Sequence, residues 1–268
     1  MYLCAPGSVS VDLSLILASC FISLVGLPHG ALDPVVARRC GLIYDLRSSA
    51  QFFAGYVIIV ALVVLLWLQL PSASLLLFLL ISCIHFGRDW KQKIPFGGFA
   101  YGAFVLGLPA WTAPEQVEQI FSFLIFQNAA EIPLVFLQGL GVIGTLLILL
   151  DHSRVSGLSA GELLILIICA VSFEPLWYFV AYFCGLHSPR HLITEFRGMR
   201  KELRLSAYVI MLALTILTLG IAAVSGSHLE KYYASIDIAI YQVIFIGLAA
   251  LTVPHMCLLE WAARKQNG

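Results

Sequence analysis

The chain has 268 residues, and its 15 Lys and Arg are matched by 15 Asp and Glu, giving a formal net charge of zero. Hydrophobic residues make up 60%, charged residues only 11%, and the mean hydropathy is +0.95; a soluble domain averages about 45–50% apolar and about 25% charged. A water-soluble fold is excluded, and so is a nucleic-acid binder, which needs a basic face.

A helix needs roughly 20 apolar residues to cross the hydrocarbon core. Lipid also requires every backbone polar group to be satisfied internally, which helices achieve within one segment. Apolar runs bounded by charge, Pro or Gly place crossings at 10–29, 50–70, 73–89, 96–112, 131–150, 160–175, 176–195, 205–225 and 237–262. The fold class is therefore all-α: a polytopic membrane helix bundle of eight to nine transmembrane helices, forming one domain over 1–268. The first run lacks a basic stretch ahead of it and continues into a histidine motif, so it reads as a membrane helix rather than a leader. The segment 114–128 (PEQVEQIFSFLIFQN) is too short to span and reads as an interfacial or re-entrant helix. The seven cysteines contain no CxxC and sit mostly inside apolar runs. They read as small buried hydrophobes, not a disulfide framework.

Orientation follows from the basic residues. Nine crossings with the N-terminus outside put every Lys and Arg except Lys231 on the cytoplasmic side, the C-terminus included. The same scheme brings His29, His85, His187 and His191 to the cytoplasmic ends of their helices, at one depth, so ligands from distant parts of the chain can converge.

Those four histidines stand in GLPHGALD (26–33), CIHFGRDW (83–90) and GLHSPRHL (185–192). Polar side chains at bilayer depth are expensive and mark function, and neutral imidazole is the commonest metal ligand. His187 and His191 are four apart, so on a helix they share a face and can grip one ion. Pro189 between them removes a helical hydrogen bond and predicts a kink. A carboxylate follows three of the four histidines at the fourth position: Asp33, Asp89 and Glu195. Each is a candidate to hold the outer imidazole nitrogen, with a salt bridge to arginine as the competing reading. His255, in TVPHM (252–256), joins these supporting candidates, with cavity lining, a carbonyl bond and a place in the metal shell left open. His152 and His228 lie in polar contexts and read as surface residues. Imidazole excludes an all-oxygen Mg or Ca site, and the thiolates are not arranged for a soft one. Iron, copper and zinc remain, and O₂ chemistry in a greasy cavity favours Fe(II). Of the aromatics near the histidines, Phe86, Trp90, Tyr178, Tyr182 and Phe183 are candidates to line a slot for a long conjugated molecule.

With GLPHGALD, HFGRDW (85–90), HSPRH (187–191) and TVPHM in this order, the chain resembles the Brp/Blh family of membrane-bound β-carotene 15,15′-dioxygenases over its whole length. The resemblance implies that His29, His85, His187 and His191 are iron ligands. It implies cleavage of the central double bond of β-carotene by O₂ to two molecules of retinal, with a microbial rhodopsin as the natural recipient. A location in the cell membrane follows. Two rival classes remain: a two-metal lipid hydroxylase or desaturase, and a metal or proton transporter. The first needs several HxxxH and HxxHH clusters, whereas this chain has seven histidines and one such pair. The second often carries internal repeats, and none is visible. Histidines near the cytoplasmic helix ends place the metal off the bilayer midplane. A polyene about 30 Å long, matching the hydrocarbon core, must then be steeply tilted or lie across the bundle, in a lateral slot entered from the lipid.

Overall fold

A computed structural model describes residues 12–90, 96–127, 130–150, 152, 155–229 and 235–267. Lys91, Lys93, Arg154 and Lys231, four of the charges used to orient the chain, lie outside the described residues, as does Cys4. Among the described residues every regular element is a helix.

The first segment is a broken helix. It comprises α1 (Leu13–Phe21), a π turn (Ile22–Gly26), a 3₁₀ turn (Leu27–Leu32) and α2 (Asp33–Arg39). Next comes α3 (Leu46–Gln69), started by a reciprocal cap in which Asp45 and Ser48 each accept the other's backbone N–H. Those Ser48 bonds hold the exposed Asp45 carboxyl below the usual carboxylate range. Proline then sets two sharp restarts. Leu70 before Pro71 and Ala113 before Pro114 both leave helical geometry because the proline ring disfavours it. They deliver α4 (Pro71–Gly87) and α6 (Pro114–Ile125), with α5 (Gly97–Thr112) between them. The chain continues through α7 (Glu131–Leu150), α8 (Gly157–Ser172), α9 (Pro175–Tyr182), a second π turn (Phe183–His187) and α10 (Ser188–Arg197). It closes with α11 (Lys201–Leu229) and α12 (Ile236–Asn267).

Among the described residues, five stretches are long and apolar enough to cross a membrane: Leu13–Arg39, Leu46–Gln69, Glu131–Leu150, Lys201–His228 and Ile236–Lys265. Against the expected eight to nine, the other segments fall short for identifiable reasons. α4 and α8 are apolar but have 17 and 16 residues, about 25 Å by helical rise. The 176–195 run is divided among α9, the π turn and α10. Within the 114–128 segment, Pro114–Ile125 folds as the 12-residue α6, and residue 128 lies outside the described residues.

Lipid tails are as apolar as leucine, so helices in a bilayer associate through close van der Waals packing and small residues. α5 follows that rule, packing on α4, α6, α7 and α8. Gly102 brings it so close to α4 that an added Cβ would run into the Cys83 carbonyl. Polar ties cross the bundle as well. The Trp67 indole N–H donates to the Leu124 carbonyl at 2.9 Å. Arg190 on α10 forks onto Glu162 of α8 at 2.9 and 2.7 Å, and Tyr101 of α5 donates to the same carboxylate. Such bonds contribute about 1 kcal/mol each within a membrane. The six described cysteines are free; Cys40, Cys83 and Cys184 are buried, Cys169 is half-buried, and Cys20 and Cys257 are exposed.

Candidate metal centre

Both breaks in the helices carry histidines. A π turn inserts an extra residue and leaves carbonyls short of helical partners, and here side chains take them. The Gly26 carbonyl, at the end of the first π turn, accepts from His29 Nδ1 at 2.5 Å. The Ser188 hydroxyl, just after the second π turn, donates to the Val25 carbonyl at 2.6 Å and lies 3.2 Å from that of Gly26. Gly26 permits the close approach, since a Cβ there would strike the Phe183 ring. The kink expected at Pro189 takes this form: π geometry up to His187, then a fresh helix from Ser188. The two broken segments are stitched together with His29 and His187 facing one another, ring centroids 5.1 Å apart.

His85 comes from the last turn of α4. The imidazoles of His29, His85 and His187 are all buried and offer ligand atoms within 4.8 Å of one another. His191, half-buried on α10, packs against the group with centroids 5.6 Å from His29 and 5.7 Å from His187. A fifth ring belongs to the same cluster. His255, next to Pro254 inside α12, lies 5.2 Å from His85, 5.5 Å from His29 and 5.5 Å from His191.

The hydrogen bonds assign the nitrogens. His29 Nδ1 faces the Gly26 carbonyl, His85 Nδ1 lies 2.9 Å from the Met256 sulfur, and His187 Nδ1 lies 2.9 Å from Asp89 Oδ2. Each of these partners accepts, so each Nδ1 carries the proton and each Nε2 keeps its lone pair. The Nε2 atoms of His85 and His187 are 3.0 Å apart. Two lone pairs at that distance repel, and a cation bound to both would relieve the repulsion. The spacing also suits adjacent ligands on one metal with bonds of about 2.1 Å. The donor set is all imidazole, which fits iron, copper or zinc and not a hard oxygen-seeking ion.

The carboxylates pair across helices rather than along them. Asp89 holds His187, not His85, and accepts the Tyr182 hydroxyl at 2.8 Å. Asp33 holds His255 Nδ1 at 2.7 Å and accepts the Tyr56 hydroxyl at 2.9 Å. Glu195 bonds Arg39 at 2.8 Å, in the salt-bridge manner. Register explains the first two: α4 ends at Gly87 before Asp89, and His29 sits in a 3₁₀ turn before α2. Tyr56 and Met256 escaped the sequence reading. Tyr56 is the single hydroxyl in the apolar run QFFAGYVIIV (51–60), which was the available signal. His152 is exposed and bonded to its own Leu149 carbonyl, and His228 is exposed at the end of α11.

A cavity of about 410 Å³ adjoins the cluster, lined by His29, His85 and His255 and otherwise almost entirely by apolar side chains. Its wall follows α4 from Phe86 to Leu75 and α12 from His255 to Phe245, each about 15 Å by helical rise. Phe53 and Val57 of α3 and Leu217 and Ile221 of α11 line it while exposed on the outer surface, so it opens sideways between these helices. Phe86 and Phe183 line it as well. Trp90, Tyr178 and Tyr182 stand in a layer behind: Trp90 stacks on Tyr101, Tyr178 donates to the Val105 carbonyl, and Tyr182 holds Asp89.

If Asp89 fixes the His187 ring, Asp89→Asn weakens metal affinity by about 10–100-fold. Metal titration of the solubilised variant checks this; a loss of thermal stability with unchanged affinity would reduce Asp89 to a structural role.

Long apolar helices around a buried cluster of imidazoles, with an apolar cavity beside it, define a helical membrane-type protein equipped to hold a metal ion next to a lipophilic ligand. The sequence model of the family described as "Beta-carotene 15,15′-dioxygenase" matches residues 20–263. A protein of that name from uncultured marine bacterium 66A03 is 33% identical over 276 residues, covering 94% of each chain. The chain belongs to this β-carotene 15,15′-dioxygenase family, of Brp/Blh type, and is a carotenoid dioxygenase. No solved structure matches it.

Proposed function

We propose that this chain cleaves the central 15,15′ double bond of β-carotene with O₂, at a non-haem Fe(II) held by His29, His85, His187 and His191. One C=C bond and one O₂ give two C=O bonds, hence two molecules of all-trans-retinal. The observation that carries the reading is the meeting of a buried imidazole cluster with an apolar cavity open at the lipid-facing surface. Bound iron would supply Lewis-acid binding and activation of O₂. The protein's part is positional. Phe86 and Phe183, beside His187 and His29, would hold the polyene against the cluster, and the apolar walls would exclude water.

Reach sets the pose. Half of a polyene about 30 Å long is about 15 Å, the length of the cavity limb along α4 and α12. With its central bond at the histidines, one half occupies that limb and the other leaves through the mouth between α3 and α11. The substrate therefore enters from the bilayer, and retinal returns to it, within reach of a microbial rhodopsin in the same cell membrane. The charge distribution supports an outside N-terminus and a cytoplasmic C-terminus.

Expression in a β-carotene-producing host is the direct test. The expected result is bleaching of the carotenoid with accumulation of retinal as the single cleavage product. Unchanged β-carotene in cells containing the folded, iron-loaded protein would overturn the proposal.

A further inference from the structure

His255 is held by the same kind of tyrosine–carboxylate–imidazole chain that presents His187 to the cluster. His187 is 0% exposed, with Nδ1 on Asp89, and Asp89 accepts the Tyr182 hydroxyl. His255 is 4% exposed, with Nδ1 on Asp33, and Asp33 accepts the Tyr56 hydroxyl. The two tyrosine–carboxylate–imidazole chains share no residue and come from different helices: α9, the segment after α4 and the second π turn for one, and α3, α2 and α12 for the other. A carboxylate behind an imidazole is the usual support of a metal-bound histidine, fixing its tautomer and ring direction.

Two further features of the His255 chain are costly without a cation. Its Nε2 is buried with no hydrogen-bond partner, and a buried polar atom left unpaired costs about 1–3 kcal/mol. Asp33 is only 2% exposed, and its described hydrogen bonds come from a phenol and an imidazole, so nothing among them balances a buried carboxylate. A divalent ion on His255 Nε2 would satisfy the lone pair directly and the carboxylate through the ring.

We infer that His255 is a further metal-ligating imidazole of this centre, positioned by Asp33 and Tyr56. The inference rests on the metal-centre reading above and extends it to a five-histidine site. It makes α12 a structural part of the centre. It also joins the metal to the cavity wall, because His255, Asp33 and Tyr56 all line that cavity.

The test is anaerobic titration of the purified, detergent-solubilised protein with Fe(II) and, separately, with Co(II), whose visible bands intensify as coordination number falls. His255→Ala is expected to lower affinity for both ions by about 10–100-fold or more, comparably to His187→Ala, and to intensify the Co(II) bands. His152→Ala provides the unaffected control. Asp33→Asn, which keeps all five imidazoles, is expected to lose about 10–100-fold in affinity without changing the band intensity, and it serves if His255→Ala does not fold. Wild-type affinity and an unaltered Co(II) spectrum in His255→Ala, or wild-type affinity in Asp33→Asn, beside a His187→Ala that has lost metal, would overturn this inference alone. A wild-type protein that takes up neither ion would remove the metal centre and the inference together.

Discussion

Replacing His187 by alanine is expected to abolish carotenoid cleavage and to deplete iron from the purified protein. This imidazole is fully buried, anchored through Nδ1 by Asp89, and 3.0 Å through Nε2 from the Nε2 of His85. His29→Ala, His85→Ala and His191→Ala are expected to have the same two effects, whereas His152→Ala and His228→Ala leave activity near wild type. Iron analysis and retinal formation, measured on the same preparations, check the set. A His187→Ala protein with normal iron and turnover would show the four-histidine site to be wrong.

The second large effect is expected in the cavity and leaves the iron in place. Val57 lines the mouth on α3 and is exposed, so Val57→Trp narrows the entrance without burdening the core. Leu79 lines the limb beside α4, where Leu79→Trp fills volume that half of the polyene must occupy. Misplacing a reacting bond by about 1 Å can cost on the order of 100-fold, and a filled limb shifts it further. Activity should therefore fall on that order with iron content unchanged. Any residual product should include unequal fragments, because a shallower seat presents an off-centre bond to the cluster. Full activity and purely central cleavage in both variants would mean that the polyene does not use this cavity.

The candidate metal site was legible in part because membrane chemistry makes it conspicuous. A histidine is costly at bilayer depth, so His29, His85, His187 and His191 stand out against their apolar surroundings. Two supporting carboxylates, Asp33 and Asp89, were legible as holders of imidazole nitrogens, but which histidine each holds was not. Reading Asp33 with His29 and Asp89 with His85 assumed that helical register continues across the fourth position. The 3₁₀ turn at Leu27–Leu32 and the end of α4 at Gly87 both break that register. The true pairs, Asp33 with His255 and Asp89 with His187, are 222 and 98 residues apart. Glu195 does remain in register with His191 on α10, yet the Arg39 guanidinium from α2 takes it, a charge-assisted bond stronger than one to a neutral ring.

Composition and periodicity by themselves determined that this protein is helical and apolar, because both follow from the transfer of each residue between water and lipid. The histidine motifs determined the chemistry that can occur and, by resemblance, the family. Tertiary structure alone decided how the segments break and meet. The π turn at Ile22–Gly26 leaves the Val25 and Gly26 carbonyls to the Ser188 hydroxyl, just after the π turn at Phe183–His187, which knits two distant segments together, and α12 brings His255 against the other rings. It also decided which aromatics meet the cavity: Phe86 and Phe183 face it, while Tyr178 and Tyr182 spend their hydroxyls on Val105 and Asp89. Those outcomes depend on backbone partners and neighbours supplied by other helices, and local sequence carries no record of which helix will be adjacent.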